Sequence, residues 1–204
     1  MLNAEKILEL ANVHDDYSIM EAAKAEIRDA TARKKGGTTL KRRVQSAAKY
    51  LKEAGNKNSK EWSGCTWVEN GKQAFVNGYS AFLLNEPLEG LKAIDGIPFP
   101  VSKCFPGHMD NYVIADVNIT DIAAYLKIFR AEHGRKTRCD YDILKSRYNA
   151  QYILDCYKIL GGNIVFKVPQ NGELTPAVLE SENGKALLCP IMIQGDEIKR
   201  RAAC

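Results

Sequence analysis

No stretch of the 204 residues approaches the roughly 20 consecutive apolar positions needed to cross a bilayer, so the chain is read without a membrane span. Its opening, MLNAEKILEL, lacks the basic-then-apolar order of a secretory signal. No two of the 6 cysteines form a C-x-x-C pair, and with no signal segment they read as reduced cytoplasmic thiols, several of them core-filling. Gly36-Gly37 carries no Walker pattern, so a phosphate-cradling nucleotide loop is missing. Charge is not one-sided either. A formal +4 allows a nucleic-acid partner without demanding one.

Catalytic and metal constellations are equally sparse. Cys104-x-x-x-His108 and the pair His133 and Cys139 are the only approach to a zinc set, and neither spacing is a standard knuckle. A core cysteine and a loop histidine are the plainer reading. Asp15-Asp16 and Asp140-x-Asp142 bring carboxylates close. The second pair would share one face of a strand, but it has no evident third ligand. No nucleophile sits near a base. The sequence is therefore read as non-catalytic, with neither cofactor nor metal. Trp62, Trp67 and Tyr79 can stack on bases, but Trp67 alternates with Cys65 in a strand, which favours core packing.

What the chain does have is clustered basic charge and a repeated pattern. Arg33-Lys34-Lys35, Lys41-Arg42-Arg43 and Lys199-Arg200-Arg201 gather cations. Residues 3–12 and 18–33 read as helices, the second with the Ser18/Glu21 capping box, and residues 1–36 as a helical arm ended by Gly36-Gly37. A helix follows with Leu40, Val44, Ala47, Ala48 and Leu51 on one apolar face; Gly55 is expected to end it. Asn70-Gly71 and Asn77-Gly78 then separate three strand-like runs. Asn-Gly supplies two positive φ angles cheaply and is the strongest short hairpin signal, so a three-stranded meander is predicted over about 64–84. Prolines 87, 98, 100 and 106 break residues 86–115 into loop and short strands, and 118–132 reads as a helix capped by Asn118 or Thr120.

The final third repeats the order. A helix over 148–160 is stopped by Gly161-Gly162; three strand-like runs follow, separated by Asn171-Gly172 and Asn183-Gly184. Pro176 within the second run argues for a bulge or an edge. Neither copy can bury its apolar faces alone. The expectation is an α+β fold with two helices side by side and two sheets behind them.

The run Arg147-Tyr148-Asn149-Ala150-Gln151-Tyr152-Ile153-Leu154-Asp155 resembles the "FN-x-x-YLLD" helix in the last domain of the bacterial DNA polymerase sliding clamp, the β subunit. Thr175-Pro176-Ala177-Val178-Leu179-Glu180 resembles that family's "SPVLIE" strand, and Cys189-Pro190-Ile191-Met192 its terminal "MPMRL" strand. The matching stretch is 139–193; residues 38–84 match in element order only. The resemblance implies a DNA-clamp-like domain over 37–194, flanked by the arm 1–36 and a polar tail 195–204, with 118–132 an inserted helix. It implies that the two inner helices face duplex DNA through Lys41, Arg42, Arg43, Lys49 and Lys52 on the first and Lys145, Arg147 and Lys158 around the second. Arg33, Lys34 and Lys35 form a further phosphate grip, or alternatively complement a helix dipole. Such contacts are salt-sensitive and do not read bases.

Two departures qualify it. One domain stands where the family has three, so a ring needs six copies or other partners. The family's C-terminal Arg-Leu, part of its partner-peptide pocket, is replaced by Ile193-Gln194. The leading expectation is a DNA-replication accessory protein of the kind a phage, plasmid or mobile element carries. It would act as a homo-oligomer or with a replication partner. The alternatives are a protein-interaction module reusing the fold without DNA, and an enzyme of unrecognised type with its site in 86–115.

Overall fold

The computed structural model describes residues 40–57, 60, 62–170 and 174–192. The arm, its basic run Arg33-Lys34-Lys35, the Asn171-Gly172 turn and the tail lie outside them. The chain forms two compact units, Met1–Arg42 and Arg43–Cys204, and almost all that is described belongs to the second.

Helix α1 covers residues 40–57. It does not stop at Gly55. That glycine instead admits a neighbour: a Cβ on Gly64 would lie 2.9 Å from the Leu51 carbonyl oxygen and 3.1 Å from the Gly55 Cα. The turn at 62–64 thus rests directly on the helix backbone. Strands β1 (Trp67–Glu69), β2 (Lys72–Val76) and β3 (Ser80–Leu84) form the first meander. A short 3-10 helix, Val101–Cys104, and strand β4 (Tyr112–Ala115) interrupt the long loop after it. Helix α2 (Ile119–His133) is capped by the Asn118 side chain accepting from the Thr120 N–H. A two-stranded hairpin follows, β5 (Asp140–Ile143) and β6 (Ser146–Asn149). Helix α3 (Ala150–Leu160) and strands β7 (Val165–Pro169), β8 (Ala177–Ser181) and β9 (Gly184–Leu188) complete the second copy.

The two meanders do not build two sheets. β3 pairs antiparallel with β9, from Ser80 opposite Leu188 to Leu84 opposite Gly184. One seven-stranded sheet results, ordered β1-β2-β3-β9-β8-β7-β4. Pairing edge to edge satisfies two rows of backbone groups that separate sheets would leave open. Three other expectations shift locally. Arg147, Tyr148 and Asn149 belong to β6, and Asn149 caps α3 by accepting from the Gln151 N–H. Pro176 precedes β8 instead of bulging it, and its carbonyl accepts from the Tyr112 hydroxyl at 2.9 Å. The Asn-Gly pairs also differ in role. Asn70 and Gly71 have φ 51° and 74° between the paired Glu69 and Lys72, as a mirror-image turn requires. Asn77 sits one place earlier in its turn, accepting from the Ser80 N–H at 2.8 Å, and Gly78 takes φ 89°. Asn183 closes its turn, and Gly184 is already in the strand opposite Ser181.

Both sheet faces are covered. Phe75, Phe82, Leu84, Phe166, Leu179 and Leu188 meet α1, α2 and α3 in one core. Trp67, Ala74, Val76, Leu83 and Leu187 face Val101 and Phe105 of the long loop in another. β3 is buried at every position, which explains the unbroken apolar run AFLL after Ser80. The loop is fastened by the buried Glu69 carboxylate, which accepts from the Val101 and Ser102 N–H groups at 2.8 and 2.9 Å and from the Ser102 hydroxyl. Burial alone would raise its pKa, but the Ser102 and Val101 hydrogen bonds outweigh it and hold the carboxyl below its ordinary 4.5. A depressed carboxyl stabilises the fold above the unfolded value and stops doing so as pH falls through the folded one. Glu69→Ala is therefore expected to cost about 2 kcal/mol in urea unfolding at pH 7. The difference from the parent protein should shrink at pH 3. An equal difference at both pH values would show that the carboxylate is not the fastener.

Candidate nucleic-acid interface

α1 and α3 lie side by side on the sheet. The Arg43 guanidinium crosses between them, donating from Nε to the Ile159 carbonyl at 2.8 Å and from Nη1 to Asn183 Oδ1 at 3.0 Å. Asn183 in turn donates to the Leu160 carbonyl at 2.9 Å. These bonds satisfy carbonyls that the end of α3 leaves free. Gly161 makes room for the arginine stem, since a Cβ there would come within 3.0 Å of Arg43 Cδ. Tyr50 ties α1 to the sheet through its hydroxyl on Ser80, 2.9 Å from the carbonyl, with its ring edge-on to Phe75 and Phe82.

The same packing divides the basic residues of α1. Arg43, Ala47, Tyr50, Leu51 and Ala54 are buried. Lys41, Arg42, Lys49 and Lys52 are exposed, and at 100° per residue Lys41, Lys49 and Lys52 fall on one stripe opposite the buried face. Lys49 lies 3.9 Å from Glu53, a solvent-screened pair that leaves the lysine available. On α3, Lys158 is exposed. Near it, burial pushes the Asp155 carboxyl up to about 6; the Gln151 hydrogen bond and Lys158 pull down against that, and Glu53 adds to it. Gln151 Nε2 donates to Asp155 Oδ1 at 2.6 Å. Asp155 thus opposes an approaching anion fully only above about pH 6.

The remaining candidates are dispersed. Lys145 is exposed in the β5–β6 turn. Arg147 is engaged by Asp142, Nε to Oδ1 at 2.9 Å, and Arg138 holds Asp140 in the same way at 2.8 Å. The two aspartates therefore serve arginines and do not form a cation site. Cys139 lies in the helix-side core, whereas Cys104 is exposed on the 3-10 helix over the other sheet face, so the two Cys/His pairs are not brought together. Among the described residues no group of three or more His, Cys, Asp or Glu is placed to hold a metal. Trp67 is buried edge-on to Trp62, which stacks on Phe99; Tyr79 keeps an open side, its other face stacked on Tyr152 at 5.7 Å.

Sequence reasoning missed two features. One is a groove of about 950 Å³ where the ends of α1 and α2 meet the start of α3 and the segment after β9. Leu126, Tyr152, Ile191 and Met192 line it, with Lys57, Arg135 and Lys136 also on its wall. The other is the basic side of α2, signalled in sequence by Lys127 and Arg130 one turn apart and by Arg135, Lys136 and Arg138 just beyond.

No protein-family model matches the chain, and no curated protein matches it. Two solved structures of the Helicobacter pylori beta clamp align with it. One is bound to a DNA ligase peptide, at 16% identity over 59% of this chain and 40% of the clamp, with a TM-score of 0.35. The other, in complex with diflunisal, aligns at 15% identity over 60% and 42%, with a TM-score of 0.34. The chain spans about two fifths of those clamp chains. Superpositions this loose carry no argument. The architecture rests on its own strand order: among the described residues, an α+β arrangement of one antiparallel seven-stranded sheet under three helices. Among the described residues no helix is long and apolar enough to cross a membrane.

Proposed function

We propose that this protein is a non-catalytic, DNA-associated accessory protein that meets duplex DNA through the outward faces of α1 and α3, without reading sequence. One observation carries the reading. Lys57 at its end aside, the cations of α1 sort by burial into a single structural arginine and an exposed set, Lys41, Arg42, Lys49 and Lys52, with Lys158 exposed on the adjacent helix. Such a stripe, lysine in all but Arg42, neutralises phosphates and releases their counterions mainly through point charges that lack a planar fork for a base edge.

The test is binding of a fluorescent duplex between 50 and 200 mM salt. Each phosphate neutralised contributes about −0.9 to the slope of log K against log salt. The change Lys41→Gln, Arg42→Gln, Lys49→Gln, Lys52→Gln is expected to flatten that slope by roughly 3 and to weaken low-salt binding by at least about tenfold. No binding by the parent protein at low salt would end the proposal. The groove beside Met192, which is 71% exposed, favours a second reading as a protein-interaction module. That reading gains if the fourfold variant binds DNA like its parent.

A further inference from the structure

We infer that α2 and α3 together form a separate phosphate-binding groove, so that the DNA-facing surface extends across the inserted helix. A depression of about 620 Å³ lies between these helices. Lys127, Arg130 and Arg135 from the α2 side and Lys158 from α3 line it, with Leu126 and Leu154 beneath. No carboxylate lines it. Four like charges around one concavity repel one another, and a phosphate group relieves that repulsion.

Complementing the C-terminal dipole of α2 accounts for Arg130, which lies in its last turn. It does not account for Lys127 in mid-helix; Lys158 lies in the last turn of α3 and complements that helix's own dipole. Dipole complementation also leaves Arg130 Nε buried without a hydrogen-bond partner among the described residues. That nitrogen is closed to solvent, so the phosphate contacts in the groove fall to the other cationic groups that line it, Lys127, Arg135 and Lys158. The apolar floor and the absence of an aromatic lining disfavour base stacking here, so the shared chemistry is the phosphate group itself, as phosphodiester or free anion.

The inference rests on the DNA reading for its partner, and the two fail differently. Lys127→Gln, Arg130→Gln, Arg135→Gln should flatten the salt slope by about 2 to 3 while α1-dependent binding persists. Lys127→Gln, Arg135→Gln, which spares the partly buried Arg130, should flatten it by about 1 to 2. Parental slopes in both variants, with the parent binding DNA, overturn the groove and leave the α1 reading intact. If the parent binds no DNA, sodium tripolyphosphate is titrated while the Arg130 Nε–Hε resonance is followed by NMR. A saturable shift that the double variant loses assigns the groove to a free phosphate, and no shift overturns it.

Discussion

Gly184→Val should unfold this protein more readily than any other single substitution described here, with a loss above about 3 kcal/mol in urea. Gly184 opens β9 at the seam where the meanders join, opposite Leu84. A Cβ there would lie 2.5 Å from the Leu83 carbonyl oxygen and 2.8 Å from the Leu84 Cα. Both are backbone atoms in a strand buried at every position, so no side chain can swing away. Gly184 also has φ 142°, outside the comfortable range of an L-residue. Gly71 provides the control. It has φ 74° and nothing within 4 Å of a Cβ, so Gly71→Ala should cost only about 1 kcal/mol, from backbone strain alone. Equal losses at the two glycines would mean that the seam is not a tight joint.

Arg43→Ala is the second large effect, at about 3 kcal/mol. Truncation leaves the buried Ile159 carbonyl and the half-buried Asn183 amide oxygen without their donor. Burial lowers the arginine's pKa, while Glu86 and Glu182 act in the opposite direction, so the fold already sustains a partly desolvated cation. Lysine cannot restore the arrangement, because one ammonium does not span two acceptors as the guanidinium fork does. Arg43→Ala that remains folded should keep the parental salt dependence for DNA. Lys52→Gln should do the reverse, costing under about 0.5 kcal/mol of stability and flattening the slope by about 0.9. If Arg43→Ala flattened the slope while leaving stability unchanged, the division of α1 into a structural arginine and contact cations would be wrong.

How far these features could be read in advance follows from the range of the forces behind them. The Asn70-Gly71 turn was legible because positive φ at two successive residues is written in those residues alone. The stripe of α3 was legible for the same local reason, that of α1 only in part: Ala47 and Leu51 are buried as expected, but Leu40 and Ala48 are exposed, and Tyr50 and Ala54 complete the face. Arg43 carried a readable signal that went unused: it precedes Ala47 by four residues and Tyr50 by seven, on the buried face. The joining of the meanders had no comparable signature. It depends on the β3 backbone approaching Gly184, and an Asn-Gly pair looks the same whether its glycine turns the chain or admits a neighbouring strand. The α2–α3 groove was hidden differently, since only tertiary packing sets Lys158 beside Lys127 and Arg130.

The seam also has a consequence for how the chain reaches this state. Each hairpin within a meander joins neighbours in sequence, so it closes short loops and forms quickly. The β3–β9 ladder joins Ser80 to Leu188; ordering that distance of chain costs entropy before any contact returns it. Two rapidly formed halves, each with an unpaired strand edge, therefore await one slow encounter. Until it occurs, the open edge of β3 in one molecule can also receive β9 of another, in competition with its own and in proportion to protein concentration. Refolding at high protein concentration is where exchanged dimers should be sought.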